Sequence, residues 1–206
     1  MQQVLDRFIV LEGMDGAGTT TQMKAIAEAF DQAGVQFHAT FEPTSSPFGS
    51  LVRKVLHKEI VTTPLALAML FAADREDHLH NPITGITKKL NSGNIVISDR
   101  YLFSSLAYQS VECGFERVNA LNDFPLPKFV IYLDTPIEDC LTRISSRNNE
   151  RDLFERQEFL ALVRDNYELI FSDLPPSVNL IRIPGQKSKE EITTMILTIL
   201  KEHTLL

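Results

Sequence analysis

Gly13-Met14-Asp15-Gly16-Ala17-Gly18-Thr19-Thr20 sets two glycines with four residues between them and closes on a pair of threonines. Where such a loop joins a strand to a helix, its backbone N–H groups converge on one point. The helix N-terminus adds partial positive charge there, so a phosphate is held without any side chain. The full pattern G-x-x-x-x-G-K-[ST] adds a lysine for the outer phosphates and a hydroxyl for magnesium. Thr20 supplies the hydroxyl, but Thr19 stands where the lysine is expected. Removing one fixed donor from a developing negative charge costs about 3–4 kcal/mol, roughly a thousandfold in rate. An active site of this kind therefore needs a substitute cation. Lys24, a turn further along the helix, is one candidate. The stronger one by sequence is the arginine-rich stretch holding Arg143, Arg147, Arg151 and Arg156.

Other chemically loaded residues lie further along the chain. Asp99 and Arg100 end an apolar run, Asn94 to Asp99. An acid at such a strand end can hold Mg²⁺ directly or through water, and an arginine beside it can lie between two phosphates. A buried ion pair between the two is the structural alternative. Phe71 and Arg75 are four residues apart in a helical stretch and share a face. Taken alone, they read as a core phenylalanine and a surface arginine. The polar stretch from Arg143 to Arg156 reads either as a solvated helix end with its loop or as a mobile lid that carries guanidinium groups over a phosphate.

These residues need a frame to bring them together, and the hydrophobic pattern supplies one. Phe8 to Leu11 is a short continuous apolar run of strand type, and Val35 to Phe41, Asn94 to Asp99, Lys128 to Asp134 and Asn179 to Ile183 read as further strands. Helical periodicity runs from Thr20 to Ala33 and stops at Gly34. It returns at Leu51 to Leu56, after Pro64, near Phe103, after Pro136, from Glu155 to Phe171, and from Lys189 to His203. The segment Glu42 to Ser50 reads as a loop. Strands alternating with helices predict an α/β fold: a five-stranded parallel sheet flanked by helices in three layers. Ligands in such sheets bind beyond the carboxyl ends of the strands. Three of the loaded segments fall there: the glycine loop, Glu42 to Ser46, and Asp99-Arg100-Tyr101.

A chain of 206 residues suits one domain, expected over 1–206 with a lid segment at about 143–156. The net charge of −7 argues against binding nucleic-acid polymers, and no stretch approaches the length of a membrane span. Cys113 and Cys140 are too few for a disulfide framework and too isolated for a zinc site. Two reduced thiols and no leader-like start point to the cytoplasm.

Taken in order, the motifs resemble the thymidylate kinase family over about residues 7–200. The stretch Phe8 to Gln22, FIVLEGMDGAGTTTQ, is similar to the family's opening F-I-x-x-E-G-x-D-G-x-G-K-[ST]-T-Q, apart from the lysine. FEPTSSPFGSLVRKVL is similar to its Glu-Pro segment and the helix that follows, LFAADRE to its Phe-x-x-x-Arg helix, and SDRYLFSSLAYQ to its D-R-[YH]-x-x-S-x-x-A-[YF]-Q element. The arginine-rich stretch falls where the family carries its lid. It departs from the family pattern in having Leu153, not arginine, before Phe154-Glu155.

The resemblance implies a P-loop nucleoside monophosphate kinase that uses ATP and Mg²⁺ to phosphorylate dTMP, and a homodimer. It implies that Gly13, Met14, Asp15, Gly16, Ala17, Gly18, Thr19 and Thr20 hold ATP, with Arg143 on the adenine face and Gln186 near it. It implies that Thr20 and Asp99 hold the metal. Around dTMP it places Asp15, Glu42, Pro43, Arg53, Phe71, Arg75, Arg100, Ser104, Ser105, Tyr108 and Gln109. Phe71 stacks on the base, Arg75 and Gln109 read it, Tyr108 lies near the sugar, and Arg53 grips the phosphate. Asp15, Arg100, Arg147 and Arg151 form the catalytic set. A kinase for another nucleoside or monophosphate, and a catalytically impaired nucleotide-binding relative, are the competing expectations.

Overall fold

A computed structural model describes residues 2–144 and 150–206, with side chains resuming at Glu155. Arg147 and the Arg151 side chain, two of the expected lid cations, therefore lie outside the described residues. Five strands, β1 (Val4–Glu12), β2 (Phe37–Phe41), β3 (Ile95–Asp99), β4 (Leu126–Asp134) and β5 (Asn179–Pro184), form one sheet in the order β2-β3-β1-β4-β5. Every pairing is parallel, in keeping with the alternation of strands and helices along the chain. Phe8, Ile9, Val10 and Leu11 of β1 and Val130, Ile131 and Leu133 of β4 are wholly buried, so the core lies on both faces of the central strands.

Among the described residues the helices are α1 (Thr19–Ala33), α2 (Pro47–Leu56), α3 (Pro64–His80), α4 (Ile86–Asn91), α5 (Leu102–Cys113), α6 (Phe115–Ala120), α7 (Ile137–Ile144), α8 (Glu150–Ser172) and α9 (Lys189–Glu202). The short helices α4 and α6 carry too little periodicity to be read from sequence. Two boundaries differ from the pattern for physical reasons. β1 begins at Val4, not at Phe8, because Asp6 and Arg7 interrupt the apolar run at a bulge. There Arg7 has φ 62° and the register against β4 shifts between Leu5 and Ile9. The segment expected as a loop up to Ser50 already turns helical at Pro47. Ser46 caps that turn by accepting from the Gly49 N–H at 3.2 Å, and proline is preset for a helix's first position.

The strand order reverses about β1. Its carboxyl end is flanked by the ends of β3 and β4, the position where a parallel sheet opens a crevice.

Candidate functional site

The loop at the end of β1 leads into α1 with both turning glycines at positive φ, 85° for Gly16 and 103° for Gly18. Gly16 is further constrained by its neighbour. A Cβ there would meet the Cys140 carbonyl oxygen of α7 at 2.6 Å. α1 has no side-chain cap and no acid in its first turn, so its first N–H groups are left without a protein partner. Among the described residues, the N–H groups of Gly16, Gly18, Thr19 and Thr20 meet no acceptor. An uncapped helix start with free loop amides is a phosphate cradle in its physical essentials. Met14 and Ala17 are buried beneath it and hold it against the core. Arg143 on α7 braces it from outside, donating to the carbonyls of Gly16 and Ala17, each at 3.1 Å, and to that of Gly185 at 3.0 Å. The residue expected against an adenine ring is thus also the tie between the loop and the turn after β5. Gln186, next to that turn, lines a separate small cavity with Asp134, Arg164 and Arg182.

Beside the loop opens a cavity of about 640 Å³. Asp15, Thr20, Asp99 and Arg100 line it toward the loop, and Phe71, Arg75, Ser105 and Gln109 are also in its wall, with Glu42, Pro43, Ser104 and Tyr108. Nearly the whole expected acceptor set is therefore brought together around one space. Arg53 stands outside that wall. Its guanidinium donates to the carbonyls of Pro43 at 2.8 Å and Thr44 at 2.6 Å, and so braces the segment that carries Glu42.

Asp99 and Arg100 do not pair with each other. Arg100 has φ 71°, an unusual left-handed conformation for a long side chain. This turn at the strand end sends the two side chains to different partners. Asp99 Oδ2 accepts from the Thr20 hydroxyl at 2.5 Å, while its Oδ1 is buried with no partner. A buried carboxylate oxygen left unpaired next to a loop hydroxyl fits a divalent cation. Magnesium at phosphate sites needs only one or two protein oxygens, since the phosphates supply others. No cluster of three acidic, histidine or cysteine ligands exists among the described residues, and such a site requires none. Arg100 donates to Asp15 Oδ1 at 2.7 Å and to the Ser104 hydroxyl at 2.9 Å, and its guanidinium lies 5.4 Å from the centre of the Tyr108 ring. The Tyr108 hydroxyl in turn accepts the Asp15 N–H at 2.8 Å.

At the other end, Arg75 is 1% exposed. It donates twice to Glu42 Oε2, at 2.9 and 2.6 Å, to the Ser105 hydroxyl at 3.0 Å, and to Asn122 Oδ1. Of its five N–H donors, one on Nη1 is left. Burial pushes the Glu42 carboxyl up, but Arg75 and His78 outweigh burial and hold it below the ordinary carboxylate range. Gln109 Oε1 is buried without a partner. Arg75 and Gln109 thus stand in the cavity wall with the ring of Phe71.

Sequence reasoning did not single out Glu12. It is wholly buried at the end of β1 and accepts from the Tyr101 N–H at 2.9 Å, the Ser104 hydroxyl at 2.6 Å and the Tyr167 hydroxyl at 2.9 Å. Burial raises its pKa to about 7, against the lowering effect of Ser104, Arg100 and Tyr167. The sequence signals were the glutamate that the family's opening pattern holds at this position and an acid closing the apolar run Phe8 to Leu11. Because the folded state takes up this proton more readily than the unfolded chain, the stabilisation is complete below about pH 4.5 and is lost as pH rises through about 7. Wild type should therefore lose on the order of 3 kcal/mol relative to Glu12→Gln across that window. Denaturant melts of both proteins at a series of pH values measure it. A difference that stays flat from pH 4.5 to 7 removes the claim.

With this geometry in place, comparison with known proteins is informative. The family described as thymidylate kinase matches residues 11–199. A protein of Treponema pallidum that carries the name thymidylate kinase is 41% identical over 204 residues, which cover 97% of each chain. One of Thermococcus gammatolerans is 36% identical over 96% of this chain and 97% of its own. One of Methanocaldococcus jannaschii is 37% identical over 94% and 95%.

Proposed function

This chain belongs to the thymidylate kinase family, and on that footing we propose that it transfers the γ-phosphoryl group of ATP to dTMP, giving ADP and dTDP. The observation that carries the reading is the single cavity, in which phosphate-handling residues and base-reading residues share one wall. A monophosphate acceptor needs both ends. The thymine N3–H is a donor suited to the orphan Gln109 Oε1, and a thymine carbonyl is an acceptor suited to the remaining Arg75 N–H. Cytosine presents an amino donor where thymine presents its O4 carbonyl, and the Arg75 N–H cannot accept from it, which costs binding.

In this reading the free amides of Gly16, Gly18, Thr19 and Thr20 hold the donor's phosphates, and an acceptor phosphate oxygen attacks the γ-phosphorus in line. Arg100 lies between donor and acceptor, held in place by Asp15 and Ser104. Arg147 and Arg151, whose side chains lie outside the described residues, are assigned to adding positive charge to the transferred group. Thr20 and Asp99 hold Mg²⁺, which when bound neutralises charge on the donor's outer phosphates. Arg53 acts by bracing the Pro43-Thr44 turn, and Arg143 and Gln186 face the adenine side. No covalent enzyme intermediate is needed. The protein belongs in the cytoplasm, in keeping with its two free thiols, and it works as a homodimer. Phe48 and Met69, exposed on α2 and α3, are apolar side chains that such a contact would bury.

The test is magnesium-dependent ADP release from ATP with dTMP, dUMP, dGMP, dCMP and thymidine offered separately, on protein whose mass in solution is read in parallel. Rapid release is expected with dTMP and not with dGMP, dCMP or thymidine. Release with thymidine but not dTMP makes it a nucleoside kinase. Retained binding of ATP and dTMP with no release makes Thr19 a disabling change. A monomer by mass removes the dimer.

A further inference from the structure

We propose that Lys24 supplies the fixed positive charge that a lysine at position 19 would otherwise bring to the donor's outer phosphates. The inference rests on the kinase reading above and assigns that charge to a residue of α1 itself, leaving the lid arginines to the transferred group.

Three cations line the cavity: Lys24, Arg75 and Arg100. Arg75 is committed to Glu42, Ser105 and Asn122, and Arg100 to Asp15 and Ser104. Arg143, close to the loop, is committed to three backbone carbonyls. Lys24 alone among the cavity's cations has no hydrogen-bond or ion-pair partner among the described residues. Its surroundings call for one. Asp99 carries an unpartnered buried oxygen in the same wall, and Asp15 lies nearby in it. A triphosphate placed against them adds further negative charge.

The helix geometry aims Lys24 at the right place. Lys24 follows Thr20 by four residues on α1, so the two share a face. Side chains on a helix lean toward its N-terminus. The four-carbon stem of a lysine can cover the rise of about 6 Å that separates its Cα level from that of Thr20 at the end of the loop. Lys24 is exposed while Met23, Ile26 and Phe30 of the same helix are buried, so the core does not hold its stem. Thr19 cannot do this work. Its side chain is 6% exposed, its Cγ2 lies toward Gly13, and a hydroxyl carries no charge.

The experiment compares wild type with Lys24→Met, Thr19→Lys and the double variant. It reads dTMP-dependent ADP release, and separately the affinities for ATP and ADP by calorimetry without acceptor. Lys24→Met is expected to lower turnover about a hundredfold and to weaken ATP by about tenfold while ADP, which lacks the γ-phosphate, weakens less. Thr19→Lys in the Lys24→Met background is expected to return turnover to within about tenfold of wild type. A surface lysine with no role would show no such rescue. The proposal is overturned if Lys24→Met stays within about twofold of wild type in both readouts. It is equally overturned if Thr19→Lys fails to rescue a double variant that melts like wild type, or if it rescues Arg147→Ala or Arg151→Ala but not Lys24→Met. Absence of ADP release from wild type with every acceptor defeats the kinase reading instead, and the ATP-against-ADP comparison still decides whether Lys24 meets the outermost phosphate.

Discussion

Replacing Arg100 with methionine is expected to lower dTMP-dependent turnover by about a thousandfold, with a much smaller change in the affinity for ATP alone. The side chain is held from three sides: by Asp15 at 2.7 Å, by Ser104 at 2.9 Å, and by the face of Tyr108. Ser104 also donates to the buried Glu12, so the guanidinium rests on a chain of hydrogen bonds that reaches the core. A charge fixed in this way needs no reorganisation when negative charge develops, and that is where electrostatic catalysis gains most. Methionine keeps much of the apolar contact with Tyr108 and removes only the charge and its donors. If the loss fell equally on ATP affinity and turnover, Arg100 would be a ground-state binder. If Arg100→Met turned over within tenfold of wild type, the lid would have to carry the charge alone. Lysine at this position should recover little, because a single ammonium cannot span Asp15, Ser104 and a phosphate at once.

The central strands were legible because β3, β4 and β1 from Phe8 onward are buried on both faces and read as apolar runs, whereas the edge strands β2 and β5 are only partly buried and carry polar residues. The glycine loop and Asp99-Arg100 were legible because strand ends in a parallel sheet are where chemistry collects. What escaped the sequence depends on contacts between distant segments. Asp74 accepts from the Thr44 N–H at 2.7 Å and the Ser46 hydroxyl at 2.9 Å. It thereby fixes the segment around Glu42, though nothing in the local pattern of α3 marks it. Arg75 read as a surface charge when taken alone, yet it is buried. Its cost of burial is met by Glu42, Ser105 and Asn122, which come from three other parts of the chain. Arg143 and Arg53 were placed on ligands from resemblance, whereas their described partners are backbone carbonyls of the loops that frame the site. Spacing brings an arginine to a region, but only tertiary geometry decides whether its donors meet a ligand or the main chain. Tyr167, which completes the cage around Glu12, comes from the carboxyl-terminal part of α8 and matched no motif.

Asp99→Asn is expected to cut turnover by about a hundredfold and to raise the magnesium concentration needed for half-activation by about tenfold or more. The two oxygens of Asp99 do different things. Oδ2 accepts from Thr20 and so ties the end of β3 to the first turn of α1, while Oδ1 is buried and unpaired. An ionised carboxylate oxygen left in that condition is costly unless something positive meets it in the working complex. Asparagine preserves the shape and can keep the Thr20 hydrogen bond through its carbonyl oxygen, but it turns an NH₂ group toward the position a cation would take. The fold is therefore expected to survive, and the defect to lie in magnesium dependence. Two measurements separate this from general damage: a magnesium titration of ADP release, and the gain in melting temperature that Mg-ADP gives over ADP alone. Wild type should show the additional gain and Asp99→Asn should lose most of it. An unchanged magnesium titration in the variant would mean that Oδ1 serves a purely structural end and that the metal is held by Thr20 and the phosphates without it.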